Sequence, residues 1–143
     1  MPPPARTPIG LVLARTARTA SRAFDEALVA AGGSLPVWLI LLSLQTGSPG
    51  NQRELAQAVG IRGATLTHHL NAMEAGGLVT RRRDPANRRV HHVEPTPAGE
   101  ALFRQLAGAA MTFDQRLRAG LDEGDIDVLE RLLGRLHANI TGR

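Results

Sequence analysis

The chain has 143 residues, 43% of them apolar, a formal charge of +4 and no cysteine. That length suits one cored domain rather than two, the apolar fraction excludes a disordered chain, and the missing Cys excludes disulfides, thiol redox sensing and Cys-ligated zinc. All 17 basic residues are Arg, a side chain that stays charged and meets phosphate or guanine as a rigid fork, so a cluster of them would point to a polyanionic partner.

Met1 to about Arg6 is a Pro-rich tail expected to fray, and no signal-peptide apolar region follows it. Apolar residues at spacings of three and four, from Leu13 and Ala17 through Phe24 to Ala31, predict a first helix over about Thr7 to Ala31, stopped by Gly32-Gly33. Ser34 caps a second helix with Pro36 in its first turn. Its run Leu35 to Leu44 is apolar nearly all round, so it should be buried, and is too short to span a bilayer; a cytoplasmic protein is expected. Thr46 to Gly50 reads as a loop.

Gln52 to Val59 and Gly63 to Ala75 are two short helices around Gly60. Leu78 to Arg83 and Arg89 to Glu94 are strands joined by the turn Asp84-Pro85-Ala86-Asn87. Thr96-Pro97 opens a fifth helix and Asp122 with Asp125 caps a sixth. The order is α-α-α-α-β-β-α-α, mainly helical with one small hairpin. Residues 1–33 form an N-terminal helix, 34–96 a central lobe and 97–143 C-terminal helices, all in one integrated domain. The first and last helices carry apolar stripes outside the central lobe, among them Leu13, Ala17, Leu129, Leu132, Leu133 and Leu136. Unpartnered, they would leave a large apolar patch, so dimerisation through the terminal helices is expected.

The segment ELAQAVGIRGATLTHHLNAM, Glu54 to Met73, meets the positional demands of a helix-turn-helix. Ala56 is small where the helices cross, Gly60 turns the chain, and Leu55, Val59, Ile61, Leu66, Leu70 and Met73 lock the pair. At 100° per residue, Ala64, Thr67, His68 and Asn71 fall opposite the Leu66–Leu70–Met73 face, with Thr65 on the flank. Small and hydrogen-bonding residues there suit a major groove, where Thr meets a thymine methyl and Asn reads adenine. His69 should pack near the inner face. His91 and His92 must face opposite ways on their strand, and no metal site or cofactor is expected.

Arg81, Arg82, Arg83, Arg88 and Arg89 fall within nine residues of the hairpin. Next to a helix-turn-helix, that cluster reads as a DNA wing that displaces counterions from phosphates. Asp84 is expected to hold the wing turn by pairing with Arg88 or Arg89. The patch has no aromatic stacking platform, which favours duplex over single-stranded DNA.

From Glu54 to Leu102 the chain resembles the MarR family of bacterial regulators, most specifically in DPANRR followed by TPAG. The resemblance implies a winged helix-turn-helix, a homodimer, a pseudo-palindromic operator and repression modulated by a small aromatic or amphipathic effector. By position, Arg62, Thr65, Thr67, His68 and Asn71 match the family's recognition-helix contacts, and Arg88 and Arg89 its wing tip. Arg62 stands where a small N-cap is usual. An effector pocket is expected from Phe24, Trp38, Phe103, Met111 and Phe113, each of which could equally be core. No GxSxG, HExxH, P-loop or dinucleotide fingerprint is present, so an enzyme is not expected. An architectural protein that binds DNA without sequence preference and a winged-helix protein-interaction module are the alternatives.

Overall fold

The computed structural model describes Pro2, residues 5–46 and residues 51–142, with only the backbone of Thr46. Met1, Pro3 and Pro4 of the tail expected to fray, and the segment 47–50 expected as a loop, lie outside the described residues. Six helices and one hairpin follow in the expected order: α1 Ile9–Ala30, α2 Leu35–Thr46, α3 Gln52–Val59, α4 Gly63–Ala75, β1 Val79–Arg83, β2 His91–Pro95, α5 Pro97–Leu117 and α6 Glu123–Thr141. The chain divides into two compact units, Met1–Ala110 and Met111–Arg143.

The first unit is built around α2. Ile40 and Leu41 of this helix are fully buried, with Leu28 of α1, Leu55 of α3, Leu66 and Leu70 of α4, Val79 of β1 and Leu106 of α5. Removing such a side chain from water contributes about 1.5–3 kcal/mol. Trp38 and Phe103 extend this core as a stacked pair, ring centroids 5.4 Å apart and planes within 9°. No single helix among the described residues is long and apolar enough to cross a membrane.

Local chemistry sets the element ends. The Ser34 hydroxyl accepts from the Val37 amide, and the Asn51 side chain accepts from the Glu54 amide at the start of α3. Gly60 takes a left-handed φ of 80° between α3 and α4, which an L side chain there would strain. Thr96 ties the base of the hairpin to α5. Its amide donates to the Leu78 carbonyl, its hydroxyl donates to the Gly77 carbonyl, and that hydroxyl also accepts from the Gly99 amide at 3.1 Å. The fit leaves no room at Gly99, where a Cβ would collide with the Leu78 carbonyl oxygen.

In the second unit, Asp122 and Asp125 form a reciprocal capping box at the start of α6, at 2.7 and 3.0 Å. Arg118 pairs with Asp114 at 2.8 Å. No residue of α6 is buried.

Candidate nucleic-acid interface

The α3–α4 pair forms as the residue pattern predicts. Leu55, Ala56, Leu66, Leu70 and Met73 are buried, and Val59 and Ile61 pack against them. This packing turns the opposite face of α4 outward. Arg62, Ala64, Thr65, His68 and Asn71 are exposed, while Thr67 and His69 are half-buried. Arg62 occupies the N-cap of α4 without a side-chain cap bond, so the first-turn amides of the helix receive no help from it.

Two expected base-reading residues are already engaged within the protein. The Thr67 hydroxyl donates to the Gly63 carbonyl at 2.9 Å and accepts from the Gln52 side chain at 2.8 Å, which braces α4 against α3. Asn71 Oδ1 accepts from Arg81 Nη2 at 2.7 Å. Gln52 was not legible as a partner, because its distance in sequence from Thr67 hides their contact.

The hairpin is antiparallel, with Arg81 opposite Val93, Arg82 opposite His92 and Arg83 opposite His91. Strand β2 begins at His91 rather than Arg89. The connection therefore runs from Asp84 to Val90, closed by the Asp84 amide donating to the Val90 carbonyl at 2.8 Å. Arg88 and Arg89 thus sit in the exposed tip and not on a strand. Asp84 does hold this turn, but through different partners from those expected. Its Oδ1 accepts from the amides of Ala86 and Asn87, and its Oδ2 lies 2.8 Å from His92 Nε2. The register explains the change: Asp84 and His92 share a face of the hairpin on a diagonal, whereas the turn carries Arg88 and Arg89 beyond reach. The hydrogen bonds from His92 and then from the turn amides hold the Asp84 carboxyl below its ordinary pKa.

The five wing arginines therefore divide. Arg81 pairs with Glu74 at 2.9 Å and Arg82 with Glu94 at 2.7 Å. Arg83, Arg88 and Arg89 make no ion pair among the described residues and keep their guanidinium groups available. Glu74 lies one turn beyond Asn71 on α4, which was the signal that could have foretold the Arg81 clamp.

A cleft of about 460 Å³ opens between the start of α3, α4 and the hairpin, lined by Arg53, Arg81, Arg89, His91 and Thr67 among others. A second, of about 410 Å³, runs along α3 beside Ala56 and Ile61. Neither is lined by the residues expected to hold an effector. Phe24, Trp38 and Phe103 pack against the buried core instead, and Met111 is 66% exposed. Phe113, in the second unit, is half-buried. Among the described residues, no three His, Asp or Glu side chains come together as metal ligands.

The fold is shared widely. Residues 34–91 match the family model MarR family. The transcriptional regulator PA3341 is 32% identical, with a TM-score of 0.74 over 95% of this chain and all of that one. The transcriptional repressor CouR bound to a 23-mer DNA duplex is 26% identical, with a TM-score of 0.81 over 91% of this chain and 92% of that one. CouR from Rhodococcus jostii RHA1 bound to p-coumaroyl-CoA has the same fold, at 24% identity and a TM-score of 0.73 over 91% of this chain and 90% of that one. With a helix-turn-helix braced by its own wing, and a regulator more than 30% identical along nearly its whole length, the chain belongs to the MarR family of winged helix-turn-helix transcriptional regulators.

Proposed function

We propose that the chain reads a specific duplex sequence as a homodimer on a pseudo-palindromic operator, in the cytoplasm, and represses transcription until a small aromatic or amphipathic effector releases it. The observation that carries the DNA-binding part is the placement of three arginines that make no ion pair among the described residues, Arg83, Arg88 and Arg89, on a wing beside the outward face of α4, where Arg62, Ala64, Thr65 and His68 are exposed. Cations at that spacing meet phosphates while the helix meets base edges, so affinity and selectivity come from adjacent elements. Arg81 supports the wing from within and Arg82 pairs with Glu94 on its exposed side, while Thr67 and Asn71 support α4 as well as facing the groove.

Dimerisation is supported by apolar side chains left in water on both terminal helices. Leu13 of α1 is 38% exposed, and Leu129, Leu132 and Leu133 of α6 are between 41 and 46% exposed. Ala17 of α1 is exposed and Leu136 of α6 is half-buried. A two-fold dimer would cover such stripes and set two recognition helices about 34 Å apart, one turn of DNA. The effector reading is supported by the capture of CouR with p-coumaroyl-CoA; Phe24, Trp38 and Phe103 are the aromatic side chains the first unit offers, and Met111 and Phe113 are the thioether and aromatic side chains of the second unit. PA3341 and CouR are regulators, which favours a regulator over an enzyme.

Selection from a random duplex pool tests the function. Enrichment of a two-fold symmetric sequence with half-sites about 10 base pairs apart is expected. Retention of the whole pool without enrichment would instead indicate architectural binding, and no retention at low salt an interaction module.

A further inference from the structure

The Asn71 carboxamide is not a free reader of bases. The atom facing the Arg81 guanidinium must be an acceptor, because guanidinium has only donors to offer. The 2.7 Å contact between Nη2 and Asn71 therefore fixes Oδ1 inward on chemical grounds. Arg81 is itself clamped, since Nη2 also donates to Glu74 Oε1 at 2.9 Å and its backbone amide to Glu74 Oε2 at 3.2 Å. Its side chain is 17% exposed, against 72% for the neighbouring Arg82, so it lies along the protein instead of reaching into solvent. The bond is charge-assisted, and its donor is held in place by Glu74.

Bidentate recognition of adenine needs both ends of the carboxamide, with the oxygen accepting from N6 and the nitrogen donating to N7. With Oδ1 held toward Arg81, Nδ2 is the end left to meet the groove, and it only donates. We infer that Arg81 is a positioning residue that presents Asn71 as a donor, so that this step of the operator favours an acceptor-rich edge, guanine first and thymine next, over adenine. Guanine offers the two acceptors O6 and N7 and thymine O4, whereas adenine offers N7 alone and sets an N6 donor beside it against the Asn71 donor. The adenine preference expected of an unconstrained Asn is thereby reversed. The inference rests on duplex reading by α4, and deepens it to one base pair.

The test is a base-by-base binding profile on the selected duplex, comparing the wild type with Asn71→Ala, Arg81→Ala, Arg81→Lys and the Asn71/Arg81 double variant, with thermal melts to confirm folding. Asn71→Ala identifies its base pair as the one where preference flattens. The wild type should there favour guanine or thymine over adenine by about fivefold or more. Arg81→Ala should remove or reverse that preference at this pair alone, Arg81→Lys should restore part of it, and the double variant should read like Asn71→Ala. The inference is overturned if the wild type favours adenine at that pair, or if Asn71→Ala flattens no position. It is equally overturned if Arg81→Ala weakens every duplex evenly with a smaller salt slope, the mark of a phosphate contact. A wild type that discriminates among no duplexes at all would overturn sequence-selective reading itself, a result separable from these three.

Discussion

The stretch from Leu28 to Leu106 and the stretch from Met111 to Gly142 solve the burial problem in opposite ways. The first holds all the buried apolar residues among the described ones, from seven successive helices and strands, α1 to α5, that close on α2. The second has one well-capped helix with no buried residue, and leaves Leu117, Leu121, Val128, Leu129, Leu132 and Leu133 between 41 and 56% exposed. A segment of comparable apolarity is thus complete in one region and unfinished in the other. The lesson is that capping and helix propensity shape an element, while only a partner surface gives its apolar stripe somewhere to go.

Core substitutions should separate the regions most strongly. Leu70→Ala empties a fully buried site in α4 and should cost about 2–5 kcal/mol in thermal or urea unfolding, while Leu132→Ala in α6 should cost far less in a monomeric chain. An equal loss at both positions would break the comparison. Next comes Gly99→Ala, where the new methyl group meets the Leu78 carbonyl; overpacking should cost about 1–3 kcal/mol, with the wing base disturbed first in amide hydrogen exchange. Gly108→Ala, where a Cβ meets nothing, is its control and should be neutral or stabilising.

Smaller effects sharpen the division within the wing. Arg88→Ala with Arg89→Ala should flatten the salt dependence of DNA binding by about 0.9 per lost phosphate contact, without changing the melt. Arg82→Ala should flatten it less, since Arg82 is held by Glu94; an equal slope change would show that the ion pair opens on DNA. The smallest effect is that of acid. The hydrogen bonds from Arg81 hold the Glu74 carboxyl below its ordinary pKa, as those from His92 and the turn do for Asp84. A lowered folded value means that this contribution is complete above the ordinary carboxylate pKa, about 4, and is lost as pH falls through the lowered value. Wing order followed by NMR should therefore be unaffected by these carboxylates between pH 7 and 5, and should decline only in stronger acid. Loosening already at pH 5 would place its cause elsewhere.

The helix-turn-helix was legible because its signals are local. Ala56, Gly60 and the Leu66–Leu70–Met73 stripe lie within eighteen residues, and each obeys helical spacing. The capping box at Asp122 and the Thr96 cap were legible for the same reason. What escaped were pairings across elements. Gln52 with Thr67, Arg81 with Asn71 and Asp84 with His92 depend on where α3, α4 and the hairpin come to rest, and no spacing rule supplies that. A cluster of arginines shows that a wing is basic; only the register separates those that hold the wing from those that face outward.

The most direct measurement is a fluorescence anisotropy titration of the selected duplex, beside a shuffled duplex of equal length, carried past saturation at two salt concentrations. Binding at least about a thousandfold tighter to the selected duplex, salt-sensitive and saturating at two chains per duplex, is the predicted result. Equal affinity for both duplexes, or saturation at one chain, would contradict a dimeric sequence reader.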